Sequence, residues 1–314
     1  MTGDLTRRHF LRDDDVTAVE QRELLALALE LKKDRLAIQP LAGPRAVAIL
    51  FDKQSTRTRV SFAVSVAELG GYPLVIDAAN SQTGRGESVE DTTRVLDRQC
   101  AAIVWRTFGQ TNVERMAAVS RVPVINALTD QFHPCQVLAD LMTLAEARGG
   151  IGGLPGAKLA YVGDGANNMA HSYLLACATA GMRVSIATPA SHLPDPSVVG
   201  AAREIALENG GVVEVTGSPE AAVAGAHAVA SDTWVSMGME SEAAEREAPF
   251  VDFQVTAGLM AKAAPDAIFL HCLPAYRGKE VTSEVIDGPA SRVWDEAENR
   301  LHVQKALIAW LLEH

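Results

Sequence analysis

The chain has 314 residues, of which 48% are hydrophobic, and carries a formal net charge of −11 at pH 7. This length and apolar content suit two domain cores of ordinary size. The negative charge argues against non-specific binding to nucleic acid or anionic lipid, and apolar runs such as Ala46–Phe51 are far shorter than the roughly 20 residues that cross a bilayer.

The amino-terminal segment carries Arg7 and Arg8 side by side, as a twin-arginine export signal does. Three aspartates, at 13–15, stand where the apolar stretch of such a signal would begin, so we expect a cytoplasmic protein. The same aspartates can cap a helix that runs through Leu24 and Leu31, because apolar residues recur there at helical spacing.

Short apolar runs rich in β-branched residues alternate with helical patterns along the rest of the chain, which is typical of parallel sheets. The strands predicted in the first half are Ala46 to Phe51, Pro73 to Ile76, Ala101 to Val104 and Val122 to Asn126. The strands predicted in the second half are Leu159 to Val162, Arg183 to Ala187, Val212 to Val215 and Ile268 to His271.

A stretch rich in glycine, 149–156, separates the two series of strands and indicates a domain boundary. The sequence thus predicts an α/β protein of two domains, residues 1–148 and 149–290, each a parallel sheet flanked by helices. The last helical pattern, within 291–314, is long enough to return to the first domain and brace it.

The sharpest local pattern is the segment Ser55-Thr56-Arg57-Thr58-Arg59, which lies between a predicted strand and a helical run. A helix N-terminus offers backbone N–H groups and a positive dipole end, and hydroxyl and guanidinium side chains add charge-assisted donors. Together these groups suit a phosphate. The alternative is an ordinary Ser/Thr cap followed by surface arginines.

Three polar residues, Arg106, His133 and Gln136, follow predicted strands on their carboxyl side, where ligands of open α/β sheets gather. A guanidinium, a neutral imidazole and a side-chain amide can together polarise a carbonyl oxygen. His133 is the candidate electrophilic group. The alternative is that His133 only caps the helix that follows it.

The four cysteines are scattered along the chain, at Cys100, Cys135, Cys177 and Cys272. No CxxC pair occurs, so the sequence predicts reduced thiols rather than a zinc ribbon or a disulfide framework. Pairing His133 with Cys135, or His271 with Cys272, does not produce the ligand spacing of a structural zinc site. We therefore expect no metal.

Glycines at 163 and 165 stand between a predicted strand and a helix, as in a dinucleotide-binding fingerprint. Asn168 replaces the third glycine of that fingerprint, and Thr188 follows the next strand where an acidic residue would be needed. The pattern therefore argues against NAD. An asparagine at this turn can instead hydrogen-bond the backbone of an amino acid.

Four ordered motifs resemble those of the aspartate and ornithine transcarbamoylases. The phosphate motif is Ser55 to Arg59, and the carbonyl motif is His133 to Gln136. The other two, Asp-Thr-Trp-Val-Ser-Met-Gly at 232–238 and His-Cys-Leu-Pro at 271–274, look like the ornithine versions. The resemblance covers almost the whole chain and implies carbamoyl transfer from carbamoyl phosphate to the side-chain amine of ornithine, with no metal or organic cofactor.

The resemblance also implies a role for each matching residue. Those that would bind carbamoyl phosphate are Ser55, Thr56, Arg57, Thr58, Arg106, His133 and Gln136. Arg300 matches an arginine near the C-terminus that contributes to the same site. Those that would bind ornithine are Asn168, steadied by Asn167, with Asp232, Ser236, Met237, Cys272 and Leu273. Gln82 matches a position that reaches the site of a neighbouring subunit, which implies a homo-oligomer, a trimer in the family.

The reaction implied by the resemblance requires ornithine to lose its δ-ammonium proton before attack. Asp232 would orient the amine, and Cys272 would assist proton release if its pKa is lowered. Attack would form a tetrahedral species whose oxygen charge is stabilised by Arg57, Arg106 and His133 as phosphate leaves. These five residues are the candidate catalytic groups.

Residues 234–238 precede a polar stretch, 240–247, whose composition suits a mobile lid that excludes water from reactive carbamoyl phosphate. The alternative is a surface loop without a role. Two other functions stay open: carbamoyl transfer to another amine, such as putrescine or an N-acylated ornithine, and a non-catalytic relative that binds an amino acid or an anion. Arginine synthesis is the direction we expect.

Overall fold

The computed structural model describes residues 7–77, 86–234 and 247–314. The chain divides into two compact units, and each unit contains one parallel sheet. Unit 1 comprises Met1–Ala139 and Glu298–His314, and unit 2 comprises Asp140–Ala297. The α/β fold class predicted from the sequence is confirmed.

Unit 1 is built on a four-stranded sheet in the order β2-β1-β3-β4. Its strands are β1 (Ala46–Phe51), β2 (Tyr72–Asp77), β3 (Ala102–Arg106) and β4 (Val124–Leu128). Its helices are α1 (Ala18–Lys33), α2 (Thr56–Glu68), α3 (Val89–Leu96), α4 (Gln110–Val119) and the first part of α5 (Pro134–Ala147). Every residue of β3 and β4 is buried, as expected for parallel strands covered on both faces.

Unit 2 is built on a five-stranded sheet in the order β7-β6-β5-β8-β9. Its strands are β5 (Lys158–Val162), β6 (Arg183–Ala187), β7 (Val212–Thr216), β8 (Ala228–Ser231) and β9 (Ile268–His271). Its helices are α6 (Asn168–Thr179), α7 (Pro196–Asn209), α8 (Pro219–Val223), α9 (Ala257–Met260), α10 (Ser283–Ile286) and the start of α11 (Val293–Glu313).

Strand β8 was not predicted from the sequence. It is only four residues long, and Val229 is its single β-branched residue beside two alanines and a serine, so it carries little of the composition that marks a strand. It nevertheless pairs with both β5 and β9. Tertiary pairing therefore overrides a weak local preference here, and it places Asp232 at the carboxyl end of an inner strand.

The start of α1 differs from the prediction. Thr17 is the N-cap, with its hydroxyl accepting from the Glu20 backbone N–H at 3.3 Å, while the Glu20 carboxylate accepts from the Thr17 N–H at 2.8 Å. This reciprocal capping box satisfies the first turn, so the predicted capping by aspartates 13–15 is wrong. Asp15 instead accepts from the N–H groups of Leu11 and Arg12 and closes a turn before the helix.

The predicted return of the last helix to the first domain is confirmed, since unit 1 includes α11 from Glu298 onward. Lys305 is fully buried there, and its ammonium group donates to the Glu68 carboxylate at 2.8 Å and to the Arg35 carbonyl at 2.9 Å. Lys32 at the end of α1 donates to the Asn299 side chain at 2.8 Å. These contacts tie α11 to α1 and α2.

Both limits between the units fall within a helix, α5 or α11. The boundary predicted at residue 149 lies in the segment after α5, and the predicted bounds 1–148 and 149–290 stay a prediction.

Among the helices of the described ranges, none is long and apolar enough to cross a membrane.

Candidate active site

Two arginines of unit 1 converge on the hydroxyl group of Thr58. Arg300 of α11 donates to it from Nη2 at 2.8 Å, and Arg106, the last residue of β3, donates from Nη1 at 3.4 Å. Thr58 is fully buried, and Arg106 and Arg300 are only 7% and 3% exposed. Guanidinium groups held this deep, around an uncharged acceptor, create a local positive potential suited to an anion.

The segment predicted to bind phosphate forms the start of α2. Ser55 is the N-cap, and its Oγ accepts from the Thr58 backbone N–H at 3.3 Å and donates to the Thr58 hydroxyl at 3.0 Å. Thr56 and Arg57 occupy the first positions of the helix, where backbone N–H groups have no partner within the helix. The geometry joins a helix N-terminus to the two buried guanidinium groups.

His133 lies in the same unit, immediately before α5, and is 4% exposed. Burial lowers the pKa of His133 well below 6.5, and the positive charges of Arg300, Arg106 and Arg57 lower it further. The imidazole is therefore neutral at physiological pH, with one N–H that can donate to an uncharged oxygen. We call Arg57, Thr58, Arg106, His133 and Arg300 the arginine cluster.

The residues that flank His133 are also buried. Gln136 is fully buried in the first turn of α5, with its backbone N–H donating to the His133 carbonyl at 3.0 Å. The Cys135 thiol donates to the Asn126 carbonyl, and burial raises the pKa of Cys135 to about 12. This thiol stays protonated and turned to the backbone, which does not favour a metal ligand there.

The second group of candidate residues lies in unit 2, at the carboxyl ends of neighbouring strands. Asp232 follows β8 and Cys272 follows β9, and the Cys272 Sγ donates to Asp232 Oδ1 at 3.2 Å. The Thr233 backbone N–H donates to the same oxygen at 2.7 Å. Adjacent parallel strands bring the two side chains together although 40 residues separate them in sequence.

Cys272 does not have the lowered pKa that its expected role in proton release would need. Burial raises the pKa of its thiol well above 9.0, and the nearby carboxylates of Asp232 and Glu296 raise it further. The thiol is therefore protonated at physiological pH and acts as a hydrogen-bond donor. The condition set for that role, a lowered pKa, is not met, because negative neighbours surround Cys272 where positive ones were required.

His271 holds the backbone around Cys272. The ring Nδ1 of His271 accepts from the Leu273 backbone N–H at 3.0 Å, and the ring Nε2 lies 3.3 Å from the Glu280 carboxylate. The backbone N–H of His271 donates to the Glu296 carboxylate at 2.8 Å. Leu273 has a φ of 57°, an uncommon conformation for a residue other than glycine. Such outliers persist where surrounding contacts enforce them, which favours a functional turn.

One group of described residues offers metal-ligand atoms close together: Asp232, His271 and Cys272, within 4.8 Å of one another. The donor types are those zinc accepts. However, His271 Nδ1 already accepts from the Leu273 backbone N–H, and the Cys272 thiol donates to Asp232. The absence of a resident metal stays a prediction.

Asn168 is the first residue of α6, at the end of the loop that follows β5. Within this loop, a Cβ on Gly165 would lie 2.7 Å from the His192 carbonyl oxygen, so only glycine permits this close approach. The glycine that resembles part of a dinucleotide fingerprint therefore serves packing against the turn after β6. Asp164 lies in the same loop, and burial raises the pKa of its carboxyl group, with a contribution from Asp232.

Three predicted site residues, Gln82, Ser236 and Met237, lie outside the described residues, as does most of the expected lid. Trp234, at the start of that segment, is described, and its ring stacks on Phe250 with the centroids 5.9 Å apart. Phe250 in turn lies 4.6 Å from the His192 ring. The segment therefore begins from an aromatic cluster in unit 2.

Within unit 1 the structure gathers Thr58, Arg106, His133 and Arg300, and within unit 2 it gathers Asp232, Cys272 and Leu273. Sequence reasoning missed the supporting polar residues of unit 2. These are Tyr161, Asp164, Glu280 and Glu296. Of these, only Asp164 carried a local signal, its position directly after a predicted strand.

Two family models match the chain. Residues 8–146 match the carbamoyl-phosphate binding domain of aspartate/ornithine carbamoyltransferase, and residues 155–311 match the aspartate/ornithine binding domain of the same family. The two matches correspond to the two series of predicted strands.

Curated relatives similar to this chain share most of its length. An ornithine carbamoyltransferase of Bifidobacterium longum subsp. infantis is 61% identical over 311 residues, covering 99% of this chain and 96% of the relative. One of Clavibacter sepedonicus is 61% identical over 305 residues, covering 97% of this chain and 98% of the relative.

Solved structures show the same architecture. Ornithine carbamoyltransferase from Pyrococcus furiosus superposes with a TM-score of 0.91 at 46% identity, covering 97% of each chain. The anabolic ornithine carbamoyltransferase from Campylobacter jejuni superposes with a TM-score of 0.90 at 38% identity, covering 97% of this chain and 98% of that one.

Proposed function

The chain belongs to the aspartate/ornithine carbamoyltransferase family, and we propose that it transfers the carbamoyl group of carbamoyl phosphate to the δ-amine of L-ornithine. The products are L-citrulline and phosphate. The observation that carries this assignment is the 61% identity, over nearly the whole chain, to proteins named ornithine carbamoyltransferase. The ornithine versions of the two late motifs support the choice of acceptor.

The arginine cluster binds carbamoyl phosphate. The phosphate group lies at the start of α2, where Ser55, Thr56, Arg57 and Thr58 supply donors, and the buried guanidinium groups neutralise its charge. Arg106, neutral His133 and Gln136 donate to the carbamoyl oxygen. A neutral imidazole suits this task, because it adds a donor without adding a further buried cation.

The polar groups of unit 2 bind ornithine. Asn168 hydrogen-bonds the amino-acid backbone, and Asp232 orients the amine of the substrate through its negative charge. Cys272 donates to Asp232 and so holds the carboxylate in place, rather than acting as a base or a nucleophile. Leu273 lines the same turn, and Ser236 and Met237 close over the amino-acid end.

The transfer needs no covalent enzyme intermediate. The δ-ammonium group of ornithine first releases one proton to solvent. The neutral δ-amine then attacks the carbamoyl carbon, forming the new C–N bond, and the tetrahedral species collapses by breaking the C–O bond to phosphate. Arg57, Arg106 and His133 stabilise the oxygen charge that develops. The proton released from the nitrogen is taken up by the leaving phosphate, so atoms and charge balance without a metal or an organic cofactor.

A direct test measures the carbamoylated product from purified protein and carbamoyl phosphate with four acceptors in parallel: L-ornithine, putrescine, N-acetylornithine and L-aspartate. We expect product with L-ornithine alone. Preference for another amine would retain the carbamoyl-phosphate chemistry but overturn the assignment of residues 236–238. Inactivity with all four acceptors would favour the non-catalytic relative.

The assembly, location and metabolic direction belong to the same proposal. The protein forms a homotrimer in the cytoplasm, with Gln82 reaching the site of a neighbouring subunit, and residues 1–148 and 149–290 are its two substrate-binding domains. It works in arginine synthesis, in line with the name of the Campylobacter relative. Sedimentation velocity tests the trimer, and Gln82→Ala in one subunit type of a mixed trimer tests the shared site.

A further inference from the structure

Tyr161 of β5 lies beneath the loop that carries Asn168, and its side chain is fully buried. Its hydroxyl oxygen accepts a hydrogen bond from Asn167 Nδ2 at 2.8 Å. Its ring packs against the ring of Tyr173 on α6, with the centroids 5.8 Å apart. Tyr161 is therefore held by the sheet and by α6, and its polar tip reaches the loop between them.

Asn167 uses both ends of its side-chain amide. Its Oδ1 caps α6 by accepting from the Ala170 backbone N–H at 2.9 Å, while its Nδ2 donates to Tyr161. The two bonds together define which end of the amide points where. The two bonds also hold Asn167 in place as the N-cap of α6, directly before Asn168.

The Tyr161 hydroxyl keeps its proton throughout the working pH range. Burial raises the pKa of Tyr161 well above 10.0, and the negative charges of Asp232 and Asp164 raise it further. A hydroxyl in this state positions other groups through hydrogen bonds and does not take up a proton from the substrate. These two contributions also indicate that Tyr161 lies close to the carboxylates of Asp232 and Asp164.

We propose that Tyr161 is a positioning residue for ornithine: its hydroxyl holds the Asn167 amide and thereby sets the place of Asn168. The inference rests on the proposed function, and it assigns the residue to the amino-acid end of the substrate. Asn168 then binds the α-amino and α-carboxyl groups of ornithine from a loop that is already ordered, so binding does not cost the entropy of ordering that loop. The proposed role is exerted through Asn167, with which the Tyr161 hydroxyl forms its hydrogen bond.

Removing only the hydroxyl tests this inference. Tyr161→Phe retains the buried ring but leaves Asn167 Nδ2 without its acceptor, a loss that corresponds to about tenfold in affinity, or ~1.4 kcal/mol. We expect KM for L-ornithine to rise about tenfold, with KM for carbamoyl phosphate within about twofold of wild type. A general loss of folded protein would lower the amount of active enzyme, but it would not raise KM for ornithine relative to KM for carbamoyl phosphate.

An ornithine analogue without a reactive amine locates the defect. L-Norvaline has the α-amino and α-carboxyl groups of ornithine and lacks the δ-amine. Its inhibition constant should rise in Tyr161→Phe by the same factor as KM for ornithine, about tenfold. An unchanged norvaline constant would place the effect at the δ-amine and overturn the inference.

Tyr173→Phe is the matched control. Its hydroxyl is equally buried and donates to the Asp140 carboxylate at 2.5 Å, and it forms no bond with Asn167. We expect this variant to lose thermal stability while KM for ornithine stays within about twofold of wild type. Equal shifts of KM in both tyrosine variants would mean a general effect of core polarity and would reject a specific role for Tyr161.

A double-mutant cycle tests the route of the effect. Asn167→Ser retains an N-cap hydroxyl but has no amide to donate to Tyr161. If Tyr161 acts through Asn167, each single variant raises KM for ornithine and the double variant adds little beyond either one. Additive effects would contradict the proposal. Because wild-type citrulline formation is measured first, its absence rejects the proposed function, whereas wild-type behaviour of both single variants rejects only the role of Tyr161.

Discussion

The thiol of Cys272 donates a hydrogen bond of 3.2 Å to the carboxylate of Asp232. The pair is therefore a neutral donor and a charged acceptor, rather than a thiolate beside an acid. Because the Thr233 backbone N–H donates to the same oxygen, two donors orient the Asp232 carboxylate. This relationship determines what each residue can do in the reaction.

The raised pKa of Cys272 predicts slow alkylation. Thiolate is the reactive form, so iodoacetamide at about pH 7.5 should modify Cys272 more slowly than a free cysteine, whose pKa is about 8.5. The rate should increase steadily on raising the pH past that value. Mass spectrometry of the peptide containing Cys272, with Cys272→Ser as the control, measures this. Fast modification near neutral pH would show that an activated thiol exists after all.

Asp232→Asn should chiefly damage the ornithine side of the reaction. The substitution retains size and hydrogen bonding but removes the charge that orients the amine, so kcat/KM for ornithine should fall about a hundredfold, or ~2.7 kcal/mol. KM for carbamoyl phosphate should change little. Steady-state kinetics with each substrate varied in turn separates the two, and intact ornithine kinetics would reject the role of Asp232.

Arg57→Ala should remove most of the activity and weaken carbamoyl-phosphate binding. A lost donor to developing oxygen charge typically costs about a hundredfold or more in kcat. Arg94→Ala is the matched control, since Arg94 pairs with Asp91 on an exposed face of α3. Steady-state kinetics should show a large loss of kcat in Arg57→Ala and a kcat near the wild-type value in Arg94→Ala. A wild-type rate in Arg57→Ala would remove that residue from the site.

The lowered pKa of His133 predicts a specific dependence of stability on pH. Below pH 6.5, His133 binds a proton in the unfolded chain but stays neutral in the folded chain. The free energy of unfolding therefore decreases as the pH falls. Between about pH 7.5 and about pH 5.5 the wild type should lose ~1.4 kcal/mol more than His133→Gln, in which this group is absent. Urea unfolding at both pH values measures it, and equal losses in the two proteins would be the contrary result.

Lys305→Met should loosen the docking of α11. The substitution preserves volume but leaves the carbonyls of Leu31 and Arg35 without their donor, while Glu68 retains its ion pair with Arg35, so we expect a loss of ~2 kcal/mol. Lys262→Met, which removes an exposed pair with Glu220, should cost less than about 0.5 kcal/mol. Thermal unfolding of the two variants compares them directly.

Much of the fold was predictable because strand and helix periodicity is local. Strands β1, β6 and β9 have the predicted bounds, and the segment from Ser55 to Arg59 lies between a strand and a helix as expected. Strand β8 and the cap at Thr17 were not found. The former depends on pairing with distant strands. The latter depends on the capping box of Thr17 and Glu20, which lies next to three aspartates that are equally able to cap a helix.

The sequence by itself determined the α/β class, the two sheets and the identity of the motifs, since order along the chain and residue type suffice for these. Only the tertiary structure decided which groups meet and in what protonation state. Arg300 reaches Thr58 across 242 positions of sequence. Cys272 is protonated and His133 is neutral because burial and neighbouring charges act on them. Those influences come from residues far apart in the chain, so no local pattern records them.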